Sequence, residues 1–280
     1  MASHQNRPRR IMFNITILID NQPCNANPCL FSEHGLSVYI ATPTCRLLCD
    51  TGLSGRFIDN ARHLNIDLGE IDCTIISHGH NDHTGGLPQL LDTYPSTRVY
   101  ASAHIFGRFH SARLGTARDI SAPASIANHP YLTLIENSMW LTPDVALVMC
   151  DTTQHSRPHG NRHLTADNMP DTFAHELSLA IVDGNQLVII APCSHSGTLN
   201  IIDSCCRFTG IKNIKAYIGG LHFTDGPHTT DESRQFLNDI SRHHPNTTFY
   251  TGHCTCPQAQ SILTTHPNIN IFTTGSVIKL

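Results

Sequence analysis

Short apolar runs alternate with amphipathic stretches along most of the chain. IMFNITILI (11–19), LSVYIA (36–41) and CRLLCD (45–50) are rich in branched side chains and predict three strands. Beyond residue 50 the spacing changes. FIDNARHLNI (57–66) and LPQLLDTY (87–94) space their apolar residues for helices, while CTIIS (73–77) and RVYASA (98–103) predict strands between and after them.

From about 104 to 172 the periodicity fades into scattered Pro, Gly, Ser and His, with VALVMC (145–150) as an isolated strand candidate. Loops of more than about a dozen residues in a compact domain are usually functional, so this segment is expected to overhang a site. Alternation then resumes. LSLAIVDGNQLVIIAP (177–192) predicts a hairpin turned at Asp183-Gly184; helices are expected near 198–208, 230–243 and 257–264, and strands at KAYIGG (215–220), TTFYTG (247–252) and NINIF (268–272). Two comparable halves predict two facing sheets with helices outside, in one domain spanning 1–280.

Composition narrows the partners. Eighteen Lys plus Arg against twenty-two Asp plus Glu leave no basic field for phosphate backbones, so a small-molecule substrate is expected in place of nucleic acid. No apolar run approaches a membrane span. Eleven cysteines follow a polar, basic start, MASHQNRPRR, without a secretory apolar core, which predicts reduced thiols and a cytoplasmic protein. The anomaly is twenty histidines, because neutral imidazole is the commonest side-chain ligand for transition metals.

Three of those histidines and an aspartate fall within six positions of SHGHNDHTGG (77–86), directly after a predicted strand. His78, His80, Asp82 and His83 offer more donors than a turn needs for its own hydrogen bonds. His78 and His80, two apart on extended chain, share a face, and Asp82 and His83 turn away. The spacing predicts two ions, each needing at least one further ligand from elsewhere.

The H-x-H-x-D-H pattern, followed by Thr84-Gly85-Gly86 and preceded by Asp50-Thr51-Gly52, resembles the metallo-β-lactamase superfamily. Glu33-His34-Gly35-Leu36-Ser37, Cys193-Ser194-His195-Ser196-Gly197, Gly219-Gly220-Leu221-His222 and Gly252-His253-Cys254-Thr255 resemble its branch of dihydropterin–ribofuranosylaminobenzene 5′-phosphate synthases. The resemblance implies an α/β fold, a four-layer αββα sandwich with metals at one edge between the sheets. It further implies His78, His80 and His195 on a first metal and Asp82, His83 and His222 on a second. Taken singly, His195 and His222 fit a structural role as well as a ligand's; their places at strand ends favour ligation.

One departure stands out: the superfamily commonly has an aspartate that bridges both metals after a Gly-Asp step, and here the strand ends Ala191-Pro192-Cys193. Cys193 or Ser194 occupies that region, and on this alignment His175 competes with His195 for the first metal. Loss of an anionic bridge is expected to weaken one metal or widen the pair. Asp50 is expected to support the ligand loop from behind, or merely to form a turn before Gly52. His253 either contacts substrate or a phosphate group, or caps the next helix, and His34 is placed at the active-site wall. Cys254 and Cys256 lack a second clustered pair for a structural zinc, Cys205 and Cys206 read as small apolar residues, and Asp203 as a solvated helix face.

Clustered divalent ions bring the pKa of water toward neutrality and polarise an electrophile, so a hydrolase of a small ester, phosphodiester or lactone is the leading expectation. Asp82 would both bind metal and steer the nucleophile. Zn2+, one ion or two, suits the histidine-rich set, with Mn2+ and Fe2+ as alternatives. The branch resemblance implies a competing activity, a transferase condensing a pterin diphosphate with a ribofuranosylaminobenzene phosphate. A non-catalytic metal-binding or sensor module is the third reading. A diiron oxygen- or nitric-oxide-reducing relative would usually carry a glutamate where His80 stands and an appended flavin domain, and a nuclease is disfavoured by the acidic balance.

Overall fold

The computed structural model describes residues 13–280, so MASHQNRPRR and the first two residues of IMFNITILI lie outside the described residues. The first half of the chain runs β1 (Asn14–Ile19), β2 (Ser37–Ala41), β3 (Arg46–Cys49), α1 (Arg56–His63), β4 (Cys73–Ile75), α2 (Asn81–Thr84), α3 (Leu87–Thr93), β5 (Val99–Ser102), β6 (Phe109–Ser111), β7 (Arg118–Asp119) and β8 (Leu132–Ile135). It continues through β9 (Met139–Thr142), β10 (Val145–Met149), β11 (Leu164–Ala166), β12 (Met169–Pro170), β13 (Leu177–Asp183), β14 (Gln186–Ile190) and α4 (Thr198–Thr209). The chain ends with β15 (Asn213–Ile218), α5 (Thr229–His243), β16 (Thr248–Thr251), α6 (Pro257–Leu263), β17 (Ile269–Ile271) and β18 (Val277–Lys279).

Two seven-stranded sheets result, ordered β18-β1-β2-β3-β4-β5-β8 and β17-β16-β15-β14-β13-β10-β9. Their inner faces make one core. Along β13, Leu177, Leu179 and Ile181 point into it, while Ala180 faces the outer layer with α4, α5 and α6. Likewise Leu47 and Cys49 of β3 enter the inter-sheet core, and Leu48 packs outward with Phe57 of α1 and Leu90 of α3. Both faces of the central strands are therefore buried, which is why they read as unbroken apolar runs and not as strict alternation. Each buried Leu or Ile there contributes roughly 1.5–3 kcal/mol. The result is the four-layer αββα sandwich.

The segment 104–172 is not structureless. Four short strands, ordered β12-β11-β6-β7, form a third sheet, and β8, β9 and β10 extend the two large ones. This small sheet docks on the ligand loop, where His80 bridges Ser121 and the Asn81 N–H donates to the Ile120 carbonyl at 2.7 Å. A further departure from the sequence pattern is β18, which follows the last predicted strand and returns to pair with β1. Among the described residues no helix is long and apolar enough to cross a membrane, and all eleven cysteines are free thiols.

Candidate metal centre

β3 and β4 run parallel, as do β14, β15 and β16, so their carboxyl ends meet at one rim. Ligand sites in open α/β sheets form at such ends. Asp50 follows β3, His78 follows β4, Cys193 follows β14, His222 follows β15 and His253 follows β16. Asp50, Ser194, His222 and His253 all hold left-handed backbone, with φ of 62°, 59°, 54° and 48°. Bulky residues pay for that conformation, and it turns their side chains back over the strand ends. Gly79 separates His78 from His80 because a Cβ there would strike the Phe109 ring and lie 2.6 Å from the Ile105 carbonyl.

Each histidine is fixed through its inward nitrogen. His78 Nδ1 lies 2.8 Å from Ser77 Oγ, which itself donates to Asp50 Oδ2. His83 Nδ1 lies 2.6 Å from Asp50 Oδ2, His195 Nδ1 lies 3.1 Å from Asn161 Oδ1, and His253 Nδ1 lies 3.0 Å from Asn21 Oδ1. Each of these partners accepts, so all four Nδ1 atoms carry a proton, and the Nε2 atoms of the neutral rings His78, His195 and His253 present lone pairs. The Nε2 atoms face one another in two pairs: His78 Nε2 and His195 Nε2 are 3.3 Å apart, and His83 Nε2 and His253 Nε2 are 3.0 Å apart. Burial and neighbouring imidazoles push His78, His195 and His253 well below the usual histidine range, keeping them neutral. Burial also opposes charge on His83, but the Asp82 and Asp50 carboxylates beside it outweigh burial and push it up to about 9.

The neutral lone pairs of His78 and His195 repel at that distance and a cation between them removes the repulsion, whereas the proton on His83 bridges to His253 until an ion displaces it. The same need shows in buried polar atoms without a partner: His80 Nε2 and His222 Nδ1 are two of three such atoms among the described residues. Neutral imidazoles oriented by outer hydrogen bonds are the form in which histidine binds metal. The donor atoms of His78, His80 and Asp82 lie within 4.8 Å of one another, as do those of His83, Cys193 and His253. The residues therefore fit the divalent ions that the ligand pattern implies.

Two assignments differ from the sequence reading. His253, given to substrate, is 3.5 Å from Asp82 Oδ2 and completes a donor triangle with His83, whose Nε2 is 3.7 Å from the same oxygen. His222, given to the second metal, instead packs its ring against His195 at 4.2 Å with Nδ1 left free. The cause is local: Asp20 accepts from the His253 N–H at 2.7 Å and Asn21 aligns the ring, which aims Nε2 at His83. His253 does not cap the following helix; Cys256 does, its Sγ accepting from the Ala259 N–H at 3.4 Å.

His175 and His195 both lie in the cluster, His175 grouped with His80 and Asp171 and His195 with His78 and Cys193, the donor atoms of each group within 4.8 Å of one another. His175 Nδ1 accepts from the Gly79 N–H at 2.9 Å and its Nε2 lies 3.0 Å from Asp171 Oδ2, so both nitrogens are engaged. His195 keeps its Nε2 free and is clasped by Asn161, whose Nδ2 also donates to the His195 carbonyl at 2.7 Å. Sequence reasoning missed Asp20, Asn21, Asn161, Asp171 and Glu176. Glu176 is buried and accepts from the His195 and Ser196 N–H groups, both at 2.7 Å. A carboxylate beside a histidine, as in His175-Glu176, was the one available signal.

Asp50 is fully buried: its carboxylate accepts from Ser77 and lies 2.6 Å from His83 Nδ1, and its carbonyl accepts from Ser37 Oγ, so it orients His83 and is not among the cavity-lining residues. Asp82 is held well below the usual carboxylate range; burial alone would raise it, but the His83 and His253 rings outweigh burial. His34 stands at the mouth, its Nε2 3.3 Å from Asp82 Oδ2. Burial and the nearby His80 ring push His222 down to about 3. Asp203 is remote and half exposed, paired with His155 at 3.0 Å.

A cavity of about 430 Å³ opens over the donors. Asp82, His195, His222 and His253 form its floor, and Arg113 and His163 from the small-sheet segment line its wall.

Fold and site together are those of a metal-dependent enzyme with the metallo-β-lactamase fold, and the sequence profile of the metallo-β-lactamase superfamily matches residues 33–164. The chain is 26% identical over 230 residues to the 7,8-dihydropterin-6-methyl-4-(beta-D-ribofuranosyl)-aminobenzene-5′-phosphate synthase of Methanocaldococcus jannaschii, covering 71% of this chain and 74% of that relative. An uncharacterised protein of the same organism is 24% identical over 286 residues, covering 95% and 98% of the two chains. A crystal structure described as a metal-dependent hydrolase of the β-lactamase superfamily superposes with a TM-score of 0.78 at 27% identity, covering 96% of this chain and 99% of that one.

Proposed function

We propose that the chain is a metal-dependent hydrolase of a small, phosphorylated ester, phosphodiester or lactone. The observation that carries this reading is the pair of close Nε2–Nε2 approaches, His78 with His195 and His83 with His253. His78, His80 and His195 would hold one ion, and Asp82, His83 and His253 a second, with zinc favoured by the imidazole-rich set over manganese or iron. When bound, the ions supply a Lewis acid for a carbonyl or phosphoryl oxygen and a nucleophilic water at neutral pH.

The chain's own groups divide the remaining tasks. Asp82 stays ionised at any working pH, so it orients and makes a poor proton acceptor. His222, neutral and lining the cavity, is placed to contact substrate. Arg113 supplies positive charge on the cavity wall, loosely paired with exposed Asp225 at 3.7 Å, and suits a phosphate group. The small sheet narrows access from above.

Similarity to the methanogen synthase favours a second reading, a transferase joining a pterin diphosphate to a ribofuranosylaminobenzene phosphate. Substrate choice resides in loops that differ between relatives. Purified, zinc-loaded protein should be given phosphodiester, lactone and pterin diphosphate substrates in 18O-labelled water. Label in the product supports hydrolysis; a new carbon–nitrogen bond without label establishes the transferase instead.

A further inference from the structure

We propose that the cavity face of the small sheet is a phosphate subsite built from Ser111, Arg113 and Arg118, and that the substrate is a compact, non-aromatic monophosphate such as a phosphorylated polyol or sugar. The inference rests on the hydrolase reading above for the reacting end and names what the far end carries. Ser111 closes β6 and Arg113 lies in the turn that leads to β7; both line the cavity. Arg118, the first residue of β7, stands directly opposite Ser111 in the antiparallel ladder. Directly opposed residues hold their Cβ atoms about 4.5–5.5 Å apart on one face, so the Ser111 hydroxyl and the Arg118 guanidinium share that face and Arg113 stands beside them at the cavity wall.

The subsite stands apart from the metal donors. Phe109, two residues before Ser111 and on the same face of β6, sets its ring 5.6 Å from the His80 ring. Two residues of strand advance about 6.8 Å, so Ser111 and the arginines lie on the order of 7–13 Å outward from the ligand loop. A phosphate held there is not the group that reacts. Arg113 is the one Lys or Arg among the described residues that line the cavity, and its partner is Asp225, 3.7 Å away. Both side chains are exposed, so the pair is weak, and a phosphate that accepts from several donors at once displaces the carboxylate.

The rest of the lining sets the body of the substrate. Among the described residues it includes no Phe, Tyr or Trp, so no large aromatic face is there to stack on a bicyclic pterin or an aminobenzene ring. Asn81 and Thr224 supply polar side chains suited to hydroxyl groups. The cavity, at about 430 Å³, sits near the small end of the roughly 300–1,000 Å³ that ligand pockets span. It suits one compact molecule better than two ring-bearing substrates held together.

Calorimetry on the zinc-loaded full chain tests the subsite, with glycerol 3-phosphate, ribose 5-phosphate, glycerol, ribose and 6-hydroxymethylpterin as probes. Both phosphates should bind, and the phosphate-free compounds should bind more weakly by about tenfold or more. Arg113→Gln should weaken the phosphates by about 10–100-fold and Arg118→Gln by less, with zinc content unchanged, whereas Asp225→Asn, which removes the competing carboxylate, should tighten them. Phosphate affinity indifferent to Arg113→Gln would put the phosphate on the metals and overturn the proposal. Failure of both phosphates to bind, or a pterin that binds as tightly as they do, would overturn it as well. Hydrolysis of methyl 4-nitrophenyl phosphate by the same protein is scored separately: no turnover with phosphate binding and its Arg113 dependence intact refutes the hydrolase reading and upholds the subsite.

Discussion

The two large sheets supply the same centre in opposite ways. The first delivers His78, His80, Asp82 and His83 from one loop after β4, braced from behind by a single carboxylate, Asp50. The second delivers one side chain per strand end, His195, His222 and His253, and two of them carry their own support: Asn161 and Glu176 for His195, Asp20 and Asn21 for His253. A contiguous loop is organised by local geometry and one brace. Scattered donors are organised by the register of β14, β15 and β16 and by long-range hydrogen bonds.

That contrast is open to attack at several points, beginning with the loop. His80→Ala removes an interior donor whose Nε2 has no protein partner, so it should lower metal-dependent turnover by about a thousandfold or more while the thermal unfolding transition stays in place. Unchanged turnover and metal content would remove His80 from the centre. His253→Ala should cost one of the two ions by elemental analysis and about a hundredfold in activity, whereas His222→Ala should keep both ions. The opposite result would restore the sequence-based assignment of His222 to the second metal.

The supports come next in size. Asn161→Ala frees the His195 ring without touching a donor atom and should weaken one ion by about 10–100-fold in equilibrium dialysis. The equivalent loss should not follow from changes at His175, whose nitrogens are already spent on Gly79 and Asp171. Smallest is a pH effect from the loop. His83, raised to about 9, carries a proton at neutral pH that an ion must displace, so metal affinity should rise about tenfold per pH unit and level off above 9. Calorimetry in buffers of different ionisation enthalpy reads that proton directly. Zero release at pH 7 would contradict a protonated His83, and the same raised pKa makes its ion pair stabilise the metal-free fold below the ordinary histidine pKa and fade as pH climbs through 9.

The same division explains what was legible in the sequence. His78 to His83 announced itself because its spacing alone sets geometry, and the unbroken apolar runs of β1, β13 and β14 marked strands buried on both faces. His222 and His253 look alike in sequence, each lying just past a Gly at a strand end, and only the partners of His253, Asn21 on its ring and Asp20 on its backbone N–H, more than 230 residues away, distinguish them. The strands β6, β7, β11 and β12 are two or three residues long, too short for any periodicity to show. β18 was hidden for a related reason: Val277 and Lys279 are exposed, leaving Ile278 as its only buried residue.

The most direct test is an anomalous-scattering crystal structure of the zinc-loaded protein, recorded on both sides of the zinc absorption edge. The account predicts anomalous density between His78 and His195 and again between His83 and His253. Fully loaded crystals with those imidazoles still at contact distance and the density elsewhere would contradict it.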